Sequence, residues 1–315
     1  MKVLAADIGG TNARFAVVEA NPSGVSLLQK KTFSSGTTSF NAILQEIQDT
    51  WDAARELDRI CVAAAGPVDN GYIKMTNAAF DIDARLIKQH FPKACVSLIN
   101  DFEAQALGLA SENVEDDLET IYSDGIPFAS PLRTVIGAGT GFGTGWLLLG
   151  QPLRVIASEL GHIALAFDEA EAPIARFFEK HYPETPITIE HILSGRGLTL
   201  LNAFFTGKMQ SPADITSTGE FEKSETCAAF SRFYGRAART AALTALTQSI
   251  VIGGGIARKC PALIRHANFL SEFLRYKGPH LAYLKRVRLF LDKTGNLGLR
   301  GALVKAVETN KMEGE

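Results

Sequence analysis

The stretch Asp7-Ile8-Gly9-Gly10-Thr11-Asn12 lies between two apolar runs, Val3 to Ala6 and Ala13 to Val18. Two such runs around a glycine-rich turn predict a β-hairpin. Glycine there lets main-chain N–H groups approach a bound anion closely, where a side chain stands in the way. The pattern returns further on: Val135-Ile136-Gly137-Ala138-Gly139-Thr140-Gly141 leads into the apolar run Gly145 to Leu149. Aligning Gly10-Thr11 with Gly139-Thr140 gives the two halves one layout of strand, glycine turn and strand. This reads either as a distant duplication or as two unrelated hairpins, and periodicity alone does not choose. Two repeated α/β lobes facing each other make a cleft.

A third glycine turn, Gly253-Gly254-Gly255, follows the buried-type run Ser249 to Ile252. Three turns, each after a strand, point to phosphate or nucleotide binding more strongly than any one alone. None has the P-loop spacing Gly-x-x-x-x-Gly-Lys-Ser/Thr. The glycine series 137-139-141-143 runs back into a strand and not into a helix, which disfavours a dinucleotide fold.

Around these turns the chain is of ordinary globular composition, with 46% apolar and 21% charged residues in 315. That length predicts two domains. The net charge of −2 offers nothing to attract nucleic acid or an anionic membrane. Cys61, Cys95, Cys227 and Cys260 are too scattered for a zinc or redox pair, and they predict reduced thiols in a cytoplasmic protein. Met1 to Ala6 reads as a strand and not a signal peptide, and no apolar run is long enough to span a bilayer. No lipidation or retention signal is read at the end of the chain. Small soluble substrates are expected.

The remaining elements follow from periodicity. Helices are predicted over Phe40–Ala54, Phe102–Ala110, Ile174–His181, Ile189–Phe205, Phe221–Gln248 and Leu297–Val307, and strands over Ile60–Ala65 and Val96–Ile99. Segments Ser111–Pro131 and Gly207–Ser224 are polar and read as loops. With no low-complexity linker, the lobes are expected to be joined by continuous elements.

Several polar residues can carry chemistry. Asp7, just before the first turn, is placed to hold Mg²⁺ through water beside phosphates; taken alone it reads as a turn-capping aspartate. Asn100-Asp101 stands at the carboxyl end of a strand, where open α/β sheets bind ligands and a carboxylate can accept a hydroxyl proton. Taken alone, the pair reads as a helix N-cap. Glu159 and His162, three apart beside Gly161, can pair with sugar hydroxyls or form a solvated surface turn. Glu190 alone reads as a helix-start glutamate, and the five other histidines read as structural or solvated. There is no His-Glu-x-x-His metal motif and no Gly-x-Ser-x-Gly nucleophile elbow.

Taken together, Asp7 to Arg14, Ala65-Gly66-Pro67, Met75-Thr76-Asn77, Ile99 to Phe102, Gly137 to Gly141, Glu159 to His162, Leu193-Ser194-Gly195 and Gly253 to Ile256 resemble the bacterial glucokinases of the hexokinase and actin-like ATPase superfamily. The eight motifs occur in that family's order and cover essentially the whole chain. The resemblance implies an α/β fold of two actin-like (ribonuclease H-like) lobes with a sugar/ATP cleft between them. Residues 1–107 plus 298–315 would form the small lobe and 108–297 the large one.

It also implies roles. ATP would be the phosphoryl donor and glucose the acceptor, with Asp101 as general base on the 6-hydroxyl. Asn77, Asn100, Glu159, His162 and Glu190 would hold the sugar. Gly9, Gly10, Thr11 and Asn12 would cradle the phosphates with Thr140 and Gly141, and Gly254 and Gly255 would flank the adenosine. Asp7 would position Mg²⁺, and a homodimer is implied. The chain departs from the family pattern at Ser158, Leu160, Ala78, Ala79, Phe80 and Arg196. Those departures leave the acceptor open between glucose and another hexose such as fructose, mannose or an N-acetyl sugar. A sugar sensor without catalysis and an actin-like polymer are the rivals from other classes; Asp101 argues against the first and the Glu159–His162 pair against the second. The related repressor and open-reading-frame kinase family adds a zinc-binding cysteine cluster that this chain lacks.

Overall fold

A computed structural model describes residues 1–21, 24–75 and 78–308. The chain divides into two units. The first comprises Met1–Val114, Gln151–Val155 and the residues from Asn296 onward; the second comprises Glu115–Gly150 and Ile156–Gly295.

The first unit is built on a five-stranded sheet of β1 (Lys2–Ile8), β2 (Asn12–Asn21), β3 (Gly24–Ser34), β4 (Arg59–Ala64) and β8 (Cys95–Asn100), in the order β3-β2-β1-β4-β8. The hairpin predicted around Gly9-Gly10 is present: β1 and β2 pair antiparallel, with Asp7 opposite Arg14. β4 and β8 add in parallel. Central parallel strands are covered on both faces, and accordingly all six residues of β4 are buried. A small sheet of β5 (Val68–Asp69), β6 (Tyr72–Ile73) and β7 (Ile82–Asp83) lies in the connection to α2 (Ala84–His90). α1 (Phe40–Thr50) buries Phe40, Ile43, Leu44 and Ile47, an i, i+3, i+4, i+7 stripe. It stops short of the predicted Ala54 because Trp51 leaves helical geometry and buries its indole in the core. α3 (Asp101–Gly108) follows β8 directly.

The second unit repeats the plan. Its sheet runs β12-β11-β10-β13-β14-β9, from β9 (Leu118–Tyr122), β10 (Leu132–Ala138), β11 (Phe142–Leu148), β12 (Arg154–Ser158), β13 (Ser249–Gly253) and β14 (Arg288–Asp292). β10 pairs antiparallel with β11 and parallel with β13, as β1 does with β2 and β4, so the shared layout read from the two glycine turns extends to whole sheets. β9 is an extra antiparallel edge strand, formed by residues read as loop. Its helices are α4 (Ala172–His181), α5 (Ile189–Ile192), α6 (Gly195–Thr206), α7 (Pro212–Thr216), α8 (Glu225–Thr244), α9 (Gly255–Lys259), α10 (Ala262–Arg265), α11 (Ala267–Phe273) and α12 (Gly278–Leu284). The last helix, α13 (Leu297–Glu308), belongs to the first unit.

Three further predictions needed correction here. The single helix read over Ile189–Phe205 is two: Leu193 breaks the turn, and Ser194 starts α6 by accepting from Gly197 N. α7 forms inside a segment read as loop, capped by Ser211 with Pro212 in its first turn. The stretch Phe221–Gln248 is a short 3₁₀ turn followed by α8, separated by the cap Ser224.

α8 anchors the second core, burying Phe230, Phe233 and Tyr234 completely. One face of it carries Arg232, Arg236 and Arg239. Arg236 is buried with two buried carboxylates, 2.7 Å from Glu171 and 3.1 Å from Glu272. Asp168 completes its shell at 3.2 Å. Among the described residues no helix is long and apolar enough to cross a membrane.

Candidate active site

In the first unit, the carboxyl ends of β1, β4 and β8 lie along one sheet edge. Register places Asp7 beside Ala63, and Ala64 beside Asn100, so Asp7 and Asp101 stand on either side of β4. Asn100 is the N-cap of α3, its side-chain oxygen accepting from Phe102 N at 2.8 Å and Glu103 N at 3.3 Å. Its amide donates to Gly66 O at 3.2 Å, and its side chain also hydrogen-bonds the Asp101 carboxyl. The capping role that Asn100 suggests on its own is thus present.

Asp101, the first residue of α3, is half-buried. Burial, and next the negative charge of Asp7, push its carboxyl up to about 6, against hydrogen bonds from the Phe102 amide, its own amide and Asn100. A carboxyl at about 6 is ionised at neutral pH and basic enough to take a proton from a hydroxyl as that oxygen attacks. Arg14 pairs with Asp7 at 3.4 Å. The turn itself closes through Gly9 N to Asn12 O at 2.9 Å and is braced by Ser35, whose hydroxyl donates to Gly9 O at 2.6 Å. Gly9 and Gly10 are half-buried, and Thr11 and Asn12 are exposed.

In the second unit, β10 delivers the turn Gly139-Thr140-Gly141. Gly139 N donates to Gly141 O at 2.8 Å, and Gly195 N, freed by the break before α6, donates to Gly139 O at 2.9 Å. Glu190 is tied to the same turn. Its Oε2 accepts from Phe142 N at 2.8 Å, and a Cβ on Gly141 would stand 2.3 Å from that oxygen. A side chain at 141 would displace the carboxylate packed on it. Gly254 follows β13 with φ +83°, where only glycine is comfortable, and sits against Ala138 of β10. Gly255 opens α9 beside it.

Glu159 and His162 flank a 3₁₀ turn, their side chains 88% and 61% exposed and 3.5 Å apart, open to a ligand. Leu160 between them is buried, so the bulk at that position faces the core. His191 stacks on Tyr182 at 3.8 Å, and Arg196 stands over the Tyr182 ring at 4.9 Å. Burial holds the His191 imidazole below its ordinary value, and Thr188 N donates to its Nδ1.

The structure thus groups Asp7, Gly9, Gly10, Thr11, Asn12, Asn100 and Asp101 at one sheet edge of the first unit. It groups Thr140, Gly141, Glu190, Gly254 and Gly255 around β10 in the second. Asn77 lies outside the described residues. Arg14 was missed as a partner of Asp7, although counting residues through the hairpin pairs positions 7 and 14.

Two α/β units of one topology, each ending a central strand in a glycine turn with a carboxylate against it, define a phosphotransferase of the actin-like ATPase fold. Comparison with known proteins sharpens this. The sequence profile of the family described as Glucokinase matches residues 4–309. A glucokinase of Rhizobium etli is 31% identical over 304 residues, 92% of this chain and 86% of the relative. One of Trichormus variabilis is 28% identical over 335 residues, 95% and 97% respectively. The crystal structure of a glucokinase from an Antarctic psychrotroph superposes with a TM-score of 0.82 at 26% identity, covering 97% of this chain and 98% of that one. The chain belongs to the glucokinase family and is a sugar kinase.

Proposed function

We propose that this enzyme transfers the γ-phosphoryl group of ATP to the 6-hydroxyl of glucose. The observation that carries the proposal is the Asp7–Asp101 carboxylate pair at one sheet edge, with Asp101 pushed up to about 6. Phosphoryl transfer needs positioning and charge stabilisation more than covalent chemistry. Asp101 accepts the hydroxyl proton as the sugar oxygen attacks phosphorus, and ADP leaves.

Asp101 is the base, Gly9 to Asn12 form a phosphate turn, and Asn100 pairs with a sugar hydroxyl. Thr140 and Gly141 bind phosphate, and Gly254 and Gly255 flank the adenosine. Glu159, His162 and Glu190 pair with the other sugar hydroxyls. Among the described residues no three His, Cys, Asp or Glu side chains gather as a metal cage. Mg²⁺ is commonly held by one or two carboxylates together with substrate phosphates, and Asp7 would hold, through water, an ion that arrives with the nucleotide. That ion, when bound, neutralises phosphate charge. The relatives' shared name supports glucose as the acceptor.

A coupled assay of ADP release with Mg²⁺-ATP tests this against glucose, mannose, fructose, N-acetylglucosamine and no sugar. The expected result is the highest kcat/KM for glucose. Asp101→Asn should retain sugar binding and lose about 10²–10⁴-fold in turnover. Preference for another hexose moves the acceptor, and full turnover in Asp101→Asn removes Asp101 as base.

A further inference from the structure

Asp7 is confined on two sides by the fold of the first unit. On one side is Arg14, across the hairpin at 3.4 Å. On the other is Gly298, the second residue of α13, which is buried. A Cβ on Gly298 would stand 2.7 Å from both Cγ and Oδ1 of Asp7 and 2.9 Å from Oδ2. The first turn of α13 therefore lies directly on the carboxyl group, 291 positions away in sequence.

α13 has no freedom to back away. It crosses α3 backbone to backbone: a Cβ on Gly301 would fall 1.6 Å from Ala104 O, and one on Gly108 would fall 2.3 Å from Leu297 O. α3 is the helix that begins with Asp101. The two helices that border the carboxylate pair are thus locked to each other, and the three atoms nearest a Cβ at 298 all belong to the Asp7 side chain. The contacts of Gly298 differ in kind from those of Gly301 and Gly108, since they are to a side-chain end and not to main chain.

We propose that Gly298 is a positioning residue for the kinase reaction: by carrying no side chain it leaves the space in which the Asp7 carboxyl stands, and so fixes that carboxyl relative to Asp101 and to the phosphates. The proposal rests on the reading of Asp7 given above. A methyl group at 298 swings the Asp7 carboxyl off its position while α13 stays seated. Alanine is also the better helix former, so the helix itself does not oppose the change.

The test is a double-mutant cycle of Gly298→Ala with Asp7→Ala, read by kcat/KM for Mg²⁺-ATP and by the ¹³Cγ resonances of protein labelled at aspartate. Gly298→Ala should lower kcat/KM about ten- to a hundredfold, the scale of a misplacement of about 1 Å. It should shift the Asp7 resonance, which Asp7→Ala assigns. In the Asp7→Ala background the same substitution should change kcat/KM less than about twofold, because contacting residues are not additive.

An unmoved Asp7 resonance overturns the proposal whatever the kinetics. Equal losses in both backgrounds overturn it as well. If Gly298→Ala does not fold, recovery of folding in the double variant locates the collision at Asp7 and upholds the contact; no recovery refutes it. If Asp7→Ala and Gly298→Ala both keep full turnover while the resonance shifts, the role given to Asp7 fails, and with it the positioning role, while the contact stands.

Discussion

A base held at about 6 inside a fold weakens that fold at neutral pH, and replacing it should therefore stabilise the protein. The Asp101 carboxyl is raised from 3.8 to about 6, so it binds its proton more tightly folded than unfolded. The penalty is absent well below pH 3.8, grows as pH rises between the two values, and is complete above about 6. The difference corresponds to about 3 kcal/mol at full weight. Asp101 is only half-buried, so water screens part of this and about 1–2 kcal/mol remains.

Asp101→Asn has almost the same shape, keeps an acceptor at the start of α3 and carries no charge. It should be more stable than the wild type by about 1–2 kcal/mol at pH 7.5, several degrees in Tm. At pH 4.5 about a third of that gain should survive, because the folded carboxyl is then largely protonated and no longer carries the buried charge. Urea unfolding of both proteins at the two pH values measures this, alongside turnover. A variant that loses turnover yet gains no stability at pH 7.5 would show that burial and Asp7 do not act on Asp101 as argued. A gain that is equal at both pH values would show that it arises from packing and not from the charge.

Three further outcomes are expected. Asp7→Asn removes the like charge beside Asp101, so the acidic limb of the kcat/KM profile should move below its position near pH 6; an unmoved limb separates the two carboxyls. Glu190→Ala leaves the Phe142 N–H without its acceptor and should raise KM for sugar and for ATP together, about tenfold or more, whereas Glu190→Gln, which keeps an oxygen there, should recover most of the ATP effect. Equal defects in the two would mean that the turn does not depend on this bond. Arg236→Leu removes one of the arginines on each of the buried Glu171 and Glu272 carboxylates, leaving Arg232 on the first and Arg239 on the second, and should cost about 1.5–3 kcal/mol in urea unfolding, with the loss reduced when Glu171→Gln is added; additive losses would argue against direct pairing.

Much of the site is readable in one dimension because glycine turns at strand ends are local. Gly9-Gly10-Thr11, Gly139-Thr140-Gly141 and Gly253-Gly254-Gly255 each follow a run apolar enough to be a buried strand, and each strand is present. Asn100-Asp101 is readable for the same reason: the strand ends and the helix begins within two residues. Short elements with weak periodicity are not readable. β9, at Leu118–Tyr122, is an edge strand whose pairing with β14 comes from residues about 170 positions away. The break at Leu193-Ser194 interrupts an apolar stripe that continues on both sides, so periodicity alone sees one helix.

The sequence alone determined where the turns and strand ends fall and which polar residues stand at them, since these depend on backbone freedom and side-chain type over a few residues. Tertiary structure decided what each polar residue meets. Asp101 is only a helix-start aspartate until β1 brings Asp7 to the same sheet edge and raises its carboxyl. Glu190 is only a first-turn glutamate until its carboxylate closes on Phe142 N. Gly298 is an unremarked helix glycine until α13 packs on the carboxyl of Asp7. Charge coupling and close approach act through space, between residues whose separation along the chain carries no trace of their distance in the fold.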